Sequence, residues 1–331
     1  MGMYGQSIKM LCLSVVLSSP FIFACEMNDE KGITQNEISK LNDLVGSFSF
    51  AATINMAAIG QPGVEITFKG TSTSQPVLDK TGILSVSLVD KNQSVNYMGY
   101  RNDSKEYFSI SLDPNQTALG YMSGKLSKAD TLKLIEPTIR MTNDLVFNSA
   151  GNESTVKLPN SPVTFVSSTS VRNGNAPGDV LESIMSGPLK PASINKKSTN
   201  QNPAENYARS HELLQKFVGN FTAEDGLSIS SRLVAGGRYA MNHYTGPVEL
   251  IEFIAYNNGG RFFQYMVVGP VLPVPVYLQG TMQADGTILF VDPFNPSGLK
   301  MTISFAPNGG YSTTTTMGGK VIDQKNLVPK K

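Results

Sequence analysis

A chain of 331 residues with a formal net charge of +1 is long enough for about two domains and lacks the basic footprint of a nucleic-acid binder. Hydrophobic residues at 40% and charged residues at 16% allow a packed core and argue against global disorder. The 30 glycines and 19 prolines suit strands joined by turns rather than long helices.

The chain opens with one cation, Lys9, followed by the apolar run MLCLSVVLSSPFIFA from Met10 to Ala24. That run is shorter than the ~20 apolar residues a membrane helix needs and has the flanks of a signal-peptide core, so residues 1–24 are expected to be a cleaved leader. The chain has two cysteines, and removing the leader takes Cys12 with it, leaving Cys25 without an intramolecular partner. Ile22-Phe23-Ala24-Cys25 resembles a bacterial lipoprotein box. The resemblance implies acylation at Cys25 and a membrane partner through that anchor, on the periplasmic side or at the outer membrane. The alternative is an ordinary secretory signal and a secreted protein.

The first module is expected over 33–166. Ile33 to Val45 reads as a short helix: Thr34 and Glu37 form a capping-box pattern, Ile38, Leu41, Leu44 and Val45 keep helical spacing, and Gly46 ends it. The period then switches to two, in Val64-Ile66-Phe68, Leu84-Val86-Leu88 and Phe108-Ile110-Leu112. Strands of this kind bury one face and wet the other, as in antiparallel sheets and barrels. From Ser167 to Asn202 the chain is rich in Ser, Thr, Asn and Pro, and 167–202 is expected to be a flexible linker.

The second module is expected over 203–328. A helix opens at Asn202-Pro203, carries His211 as a surface or hinge residue, and stops at Gly219. Seven strands are predicted: 238–244, 249–256, 262–268, 277–282, 288–291, 300–305 and 311–317. Asn257-Asn258-Gly259-Gly260, Asp285-Gly286 and Asn308-Gly309-Gly310 read as hairpin turns.

The modules look duplicated. An offset of 156 residues aligns Tyr100 with Tyr256, Tyr107 with Phe263, Tyr121 with Tyr277, Gly124 with Gly280 and Pro137 with Pro293, without a gap. The helical openings align at an offset of 173, Leu41 with Leu214, and Phe147 meets Phe305 at 158. Differing offsets are loop-length changes, which surface loops tolerate. The fold expected is therefore all-β: two tandem antiparallel calycin- or lipocalin-like barrels, each preceded by a short helix.

The second module also resembles a family. Leu214…Val218-Gly219-Asn220-Phe221, Ser231-Arg232…Gly236-Gly237-Arg238-Tyr239…Tyr244-Thr245-Gly246, Ala255-Tyr256-Asn257-Asn258…Phe262, Gly280-Thr281…Asp285-Gly286-Thr287-Ile288 and Asn308-Gly309 are similar to the DUF1579 family of bacterial envelope and secreted proteins. The resemblance implies a calycin-like barrel and no assigned activity. Phe221 stands where that family usually has Trp.

Signs of chemistry are sparse. The histidines are His211 and His243, too few for a His-ligated metal or haem site common to both modules. No G-x-S-x-G elbow occurs, and the Asp-Gly and Asp-Pro pairs read as turns. Neither an enzyme nor a cofactor is expected. Tyr239, Met241 and His243 share one strand face and line a cavity if that face points inward. Pro270-Val271-Leu272-Pro273-Val274-Pro275-Val276 cannot form a central strand. It reads as an apolar loop at the barrel mouth, with Leu272 and Val274 covering a ligand or meeting a protein partner, or else as a loop packed back on its own barrel. The expectation is a lipid-anchored envelope protein holding a small apolar ligand in the second barrel. The alternative is a non-catalytic interaction protein with filled barrels.

Overall fold

The computed structural model describes residues 24–116, 118–127, 130–187, 211–272 and 274–330, with side chains from Lys31 onward. The expected leader lies outside these residues except for Ala24. Cys25 falls in the first turn of a helix, and its side chain also lies outside them. The chain divides at 31/32 and 184/185 into two compact units. Each unit contains one closed antiparallel barrel of ten strands, so the all-β expectation holds.

Helix α1 (Ala24–Ser39), which crosses the 31/32 division, and a 3-10 turn (Asn42–Leu44) lead into β1 (Gly46–Asn55) of the first barrel. The meander continues through β2 (Glu65–Val77), β3 (Gly82–Val89), β4 (Asn92–Arg101), β5 (Glu106–Leu112) and β6 (Gly120–Leu126). Then come β7 (Thr131–Ile135), β8 (Thr142–Asn148), β9 (Gly151–Lys157) and β10 (Thr164–Gly174), which closes the barrel on β1. Ile38, Leu41 and Leu44 plug one end, against Ile83, Met98, Tyr107, Leu132, Leu134 and Phe147.

Three expectations for this half are corrected. The helix does not start at the Thr34/Glu37 capping box, because α1 is already helical from Ala24. Those side chains instead tie the plug to the barrel: Thr34 Oγ1 accepts from Asn102 Nδ2 at 3.0 Å, and the Tyr107 hydroxyl donates to Glu37 at 2.9 Å.

The supposed linker begins with a strand. Residues 167–174 belong to β10, and 180–185 form helix α2 (Val180–Met185). Small hydroxyl side chains suit a strand as well as a loop, and Arg172 supplies the anchor that composition hides. Its guanidinium donates to the carbonyls of Val45 and, at 2.6 Å, Asp43, and it lies 5.0 Å over the Phe48 ring.

The Val64-Ile66 face is not buried. Val64 and Ile66 are 45% and 48% exposed, because β2 pairs with β3 only from Thr71 onward, so this end of the strand projects past β3. Along β3 and β5 the apolar rows Leu84-Val86 and Ile110-Leu112 lie on the outer face. Ser85, Ser109 and Ser111 share the lumen face with Ile83 and Met98.

In the second unit, a helical segment, α3 (211–215), precedes β11 (Gly219–Thr222), β12 (Ser228–Val234), β13 (Tyr239–Thr245), β14 (Leu250–Asn257) and β15 (Phe262–Val268). The meander continues with β16 (Val276–Met282), β17 (Ile288–Val291), β18 (Leu299–Phe305), β19 (Tyr311–Met317) and β20 (Lys320–Pro329), which pairs with β11. The seven predicted strands are present, and β11, β12 and β20 complete the ring. Leu214 and Phe217 plug one end over the Phe221, Phe305 and Tyr311 rings, with Phe217 and Phe305 centroids 5.2 Å apart.

The duplication is visible in matched geometry. Tyr100 and Tyr107 meet edge-on at 5.1 Å and 66°, and their counterparts Tyr256 and Phe263 at 4.9 Å and 68°. Gly46 and Gly219 enter β1 and β11 at φ of 144° and 157°. A Cβ at Gly46 would fall 2.8 Å from the Gly174 carbonyl, and one at Gly219 would fall 2.7 Å from the Phe221 ring. Both junctions therefore favour glycine.

Candidate functional site

The lumen of the second barrel opens into a cavity of about 660 Å³, within the range of small-molecule pockets. Its walls come from alternate residues of the strands. On β14 these are Leu250 and Glu252, on β15 Tyr265 and Val267, on β16 Val276 and Leu278, and on β18 Leu299 and Met301. Period-two alternation sets this lining: cross-strand partners such as Glu252 and Val267 face the same side, and their sequence neighbours face away. At the end opposite the plug, Pro247, Val248, Leu272 and Val321 form a mostly aliphatic rim.

The most deeply buried carboxyl in this wall is Glu252, which is 3% exposed. It accepts hydrogen bonds from Asn242 Nδ2 at 2.6 Å and the Tyr244 hydroxyl at 2.7 Å, and Tyr265 donates to it as well. The Ser231 hydroxyl in turn donates to Asn242 Oδ1, so the cluster extends across β12, β13, β14 and β15. Burial pushes the Glu252 carboxyl above the usual carboxylate range, and the bonds from Tyr244, Tyr265 and Asn242 draw it partway back. Burial also raises Tyr244 and Tyr265 well above the ordinary phenol value, and the adjacent Glu252 charge adds to this.

A second polar group lines the wall on β20. Lys325 Nζ lies 2.5 Å from Asp225 and 3.6 Å from Asp323. Burial opposes ionisation of Asp225, but Lys325 and the Leu227 amide outweigh it and hold that carboxyl below its usual value. Burial prevails at Asp323, which is raised despite Lys325. Among the described residues, no group of three or more His, Cys, Asp or Glu could hold a metal ion.

The residues singled out from sequence divide. Leu272 lines the cavity, and with Val271 it packs on the barrel core. Val274 is half-buried and is not part of the lining, and Pro273 lies outside the described residues. Tyr239, Met241 and His243 do not face the lumen. They occupy the other side of β13 from Ala240 and Tyr244, which belong to the barrel core. Tyr239 and Met241 are fully buried on that outer side. His243 Nε2 lies 3.1 Å from Glu249 Oε1. Strand β13, YAMNHYT, is largely buried on both faces, so alternation alone did not identify the lumen side.

His211 is buried rather than on the surface. Its Nδ1 donates to the Gly237 carbonyl at 3.2 Å, which leaves Nε2 to accept from the Gln215 amide at 2.8 Å.

Sequence reading missed Glu252, Tyr244 and Tyr265. The signal was present: Glu252 is the one charged residue in the strand LIEFIAYN.

Among solved structures, the chain is similar to a protein of unknown function from the DUF3598 family of Nostoc punctiforme PCC 73102. Identity is 9% and the TM-score 0.23, over 85% of this chain and 82% of that one. It is also similar to a putative AttH from Nitrosomonas europaea, at 5% identity and a TM-score of 0.15, over 86% of this chain and 92% of that one. Likenesses this distant carry no argument about function. No family model matches the chain. No curated protein matches it.

Proposed function

We propose that the second barrel binds a small, mainly apolar molecule in its lumen, and that an acylated Cys25 holds the protein at a bacterial cell envelope. The observation that carries the first part is the cavity of about 660 Å³ with its aliphatic wall. Burying a ligand there removes its apolar surface from water at about 25 cal/mol per Å². Leu272 on the rim supports reading the Pro-rich loop as a cover over the ligand, in preference to a docking surface for a protein partner. The anchor rests on the leader pattern and on Cys25 being the cysteine that remains. The resemblance to DUF1579 bears on the barrel fold and adds no activity.

Titrating the mature protein with 1-dodecanol, an uncharged probe, tests the binding part. A saturable rise in Tm is expected for the wild type, with a much smaller rise for Val267→Trp, which fills the lumen. Absence of a rise in the wild type, or an equal rise in both, would overturn the reading. Mass spectrometry of Cys25 after expression in a Gram-negative host tests the anchor, and an unmodified Cys25 would remove it.

A further inference from the structure

We propose that the natural ligand is an apolar molecule carrying a protonated amine, which the lumen selects over an apolar acid. This rests on the ligand-binding reading of the same cavity and names the ligand's head group.

The argument begins with the charges that line the cavity. Among the described residues, Glu252, Asp225 and Asp323 supply three carboxyls to the lining and Lys325 supplies one ammonium. That ammonium is already held between Asp225 and Asp323. An apolar acid would bring a further carboxylate into a wall whose cation is taken, and it could recruit Lys325 only by breaking a partly buried pair. An amine meets the opposite situation. The Glu252 carboxyl has no cation among its hydrogen-bonding partners, which are an amide and two phenols. An opposite charge brought close in a low-dielectric lumen favours the ionised carboxylate and offsets its burial.

The rest of the wall recognises the apolar body. Leu250, Val267, Leu278 and Met301 line the cavity alongside Glu252, so a molecule with one polar end and an aliphatic remainder matches both parts. The first barrel lacks this pairing. At the 156-residue offset its counterparts to Glu252, Tyr265 and Val267 are Asn96, Ser109 and Ser111, and Asn96 is hydrogen-bonded to Ser109 at 2.8 Å. The amine preference therefore belongs to the second barrel.

The test compares three probes of equal chain length, dodecylamine, dodecanoate and 1-dodecanol, each below its micelle concentration, at neutral pH on the full mature chain. The expected result is that the amine binds at least tenfold tighter than the acid and several-fold tighter than the alcohol. Glu252→Gln should abolish the advantage of the amine over the alcohol, read as the ratio of the two affinities in the same variant. Asp323→Asn provides a second variant, expected to reduce the same advantage if Glu252→Gln does not fold. An acid that binds as well as the amine, or an amine preference unchanged in both variants, overturns the inference. Alcohol and amine binding equally would sink the amine assignment and leave the hollow-barrel reading standing. Failure of all three probes would overturn both.

Discussion

Tyr244 donates its hydroxyl hydrogen to Glu252 at 2.7 Å inside a lumen walled mostly by aliphatic side chains. The burial of this carboxyl, which the phenol only partly offsets, makes stability depend on pH. The unfolded carboxyl titrates near 4.5, and burial sets the folded value higher. Above 4.5 the folded chain therefore holds a proton that the unfolded chain has released, so stability is greatest at lower pH and falls as pH rises through the folded value. Urea denaturation from pH 4 to 8 should show this decline in the second unit. Glu252→Gln should flatten the decline, since only Asp323 in the same cavity is also raised, while Asp225 is lowered and acts in the opposite sense at the acid end. A decline unchanged in Glu252→Gln would remove Glu252 as its source.

Hollow and packed parts of one barrel respond differently to added volume. Val267 lines the cavity, whereas Ile288 is fully buried in the core beside Phe290. Val267→Phe should stay within about 1 kcal/mol of wild type, because the ring enters open space. Ile288→Phe should cost ~1–3 kcal/mol through overpacking. Chemical denaturation of both variants measures the contrast, and equal costs would mean that the lumen is filled.

The Pro-rich loop gives a positional test. Leu272 lines the cavity and Val274 does not. Leu272→Asp should weaken 1-dodecanol binding by tenfold or more, on the scale of ~1.5–3 kcal/mol for a buried leucine. Val274→Asp should leave binding nearly unchanged. Equal effects in titration would show that the loop does not act through Leu272.

The end of the first barrel can be tested by cutting the chain. A fragment ending at 166 loses most of β10, and with it the Ser49–Val171 pairing and the Arg172 anchor. It should not unfold cooperatively, whereas residues 32–184 should. In the full chain, Arg172→Ala should cost ~1–3 kcal/mol by removing charged hydrogen bonds. Circular dichroism melts distinguish these outcomes.

Much of the architecture was legible because turns and aromatic positions recur at a fixed offset. Tyr100 and Tyr256 predicted equivalent strands, and their rings pack alike. What escaped had physical reasons. Strand β10 is built from Ser and Thr, which a strand and a loop use equally, and only Arg172 hints at its docking. The lumen face of β13 escaped because both of its faces are largely buried, so Tyr239, Met241 and His243 were as plausible as Asn242 and Tyr244. On β3 and β5 of the first barrel the apolar rows point outward and serines face the lumen beside Ile83 and Met98, which reverses the usual alternation on those two strands. The three prolines bar the 270–276 stretch from a central strand, which is why the sequence places Leu272 in a loop.

The claim on which the rest depends is that the second barrel encloses usable space. Apolar cavities take up xenon, so a crystal of the mature protein pressurised with the gas reads this directly. The account predicts anomalous xenon density within the lumen between Leu250, Leu278 and Met301. No xenon there, with side-chain density filling that space, would contradict it.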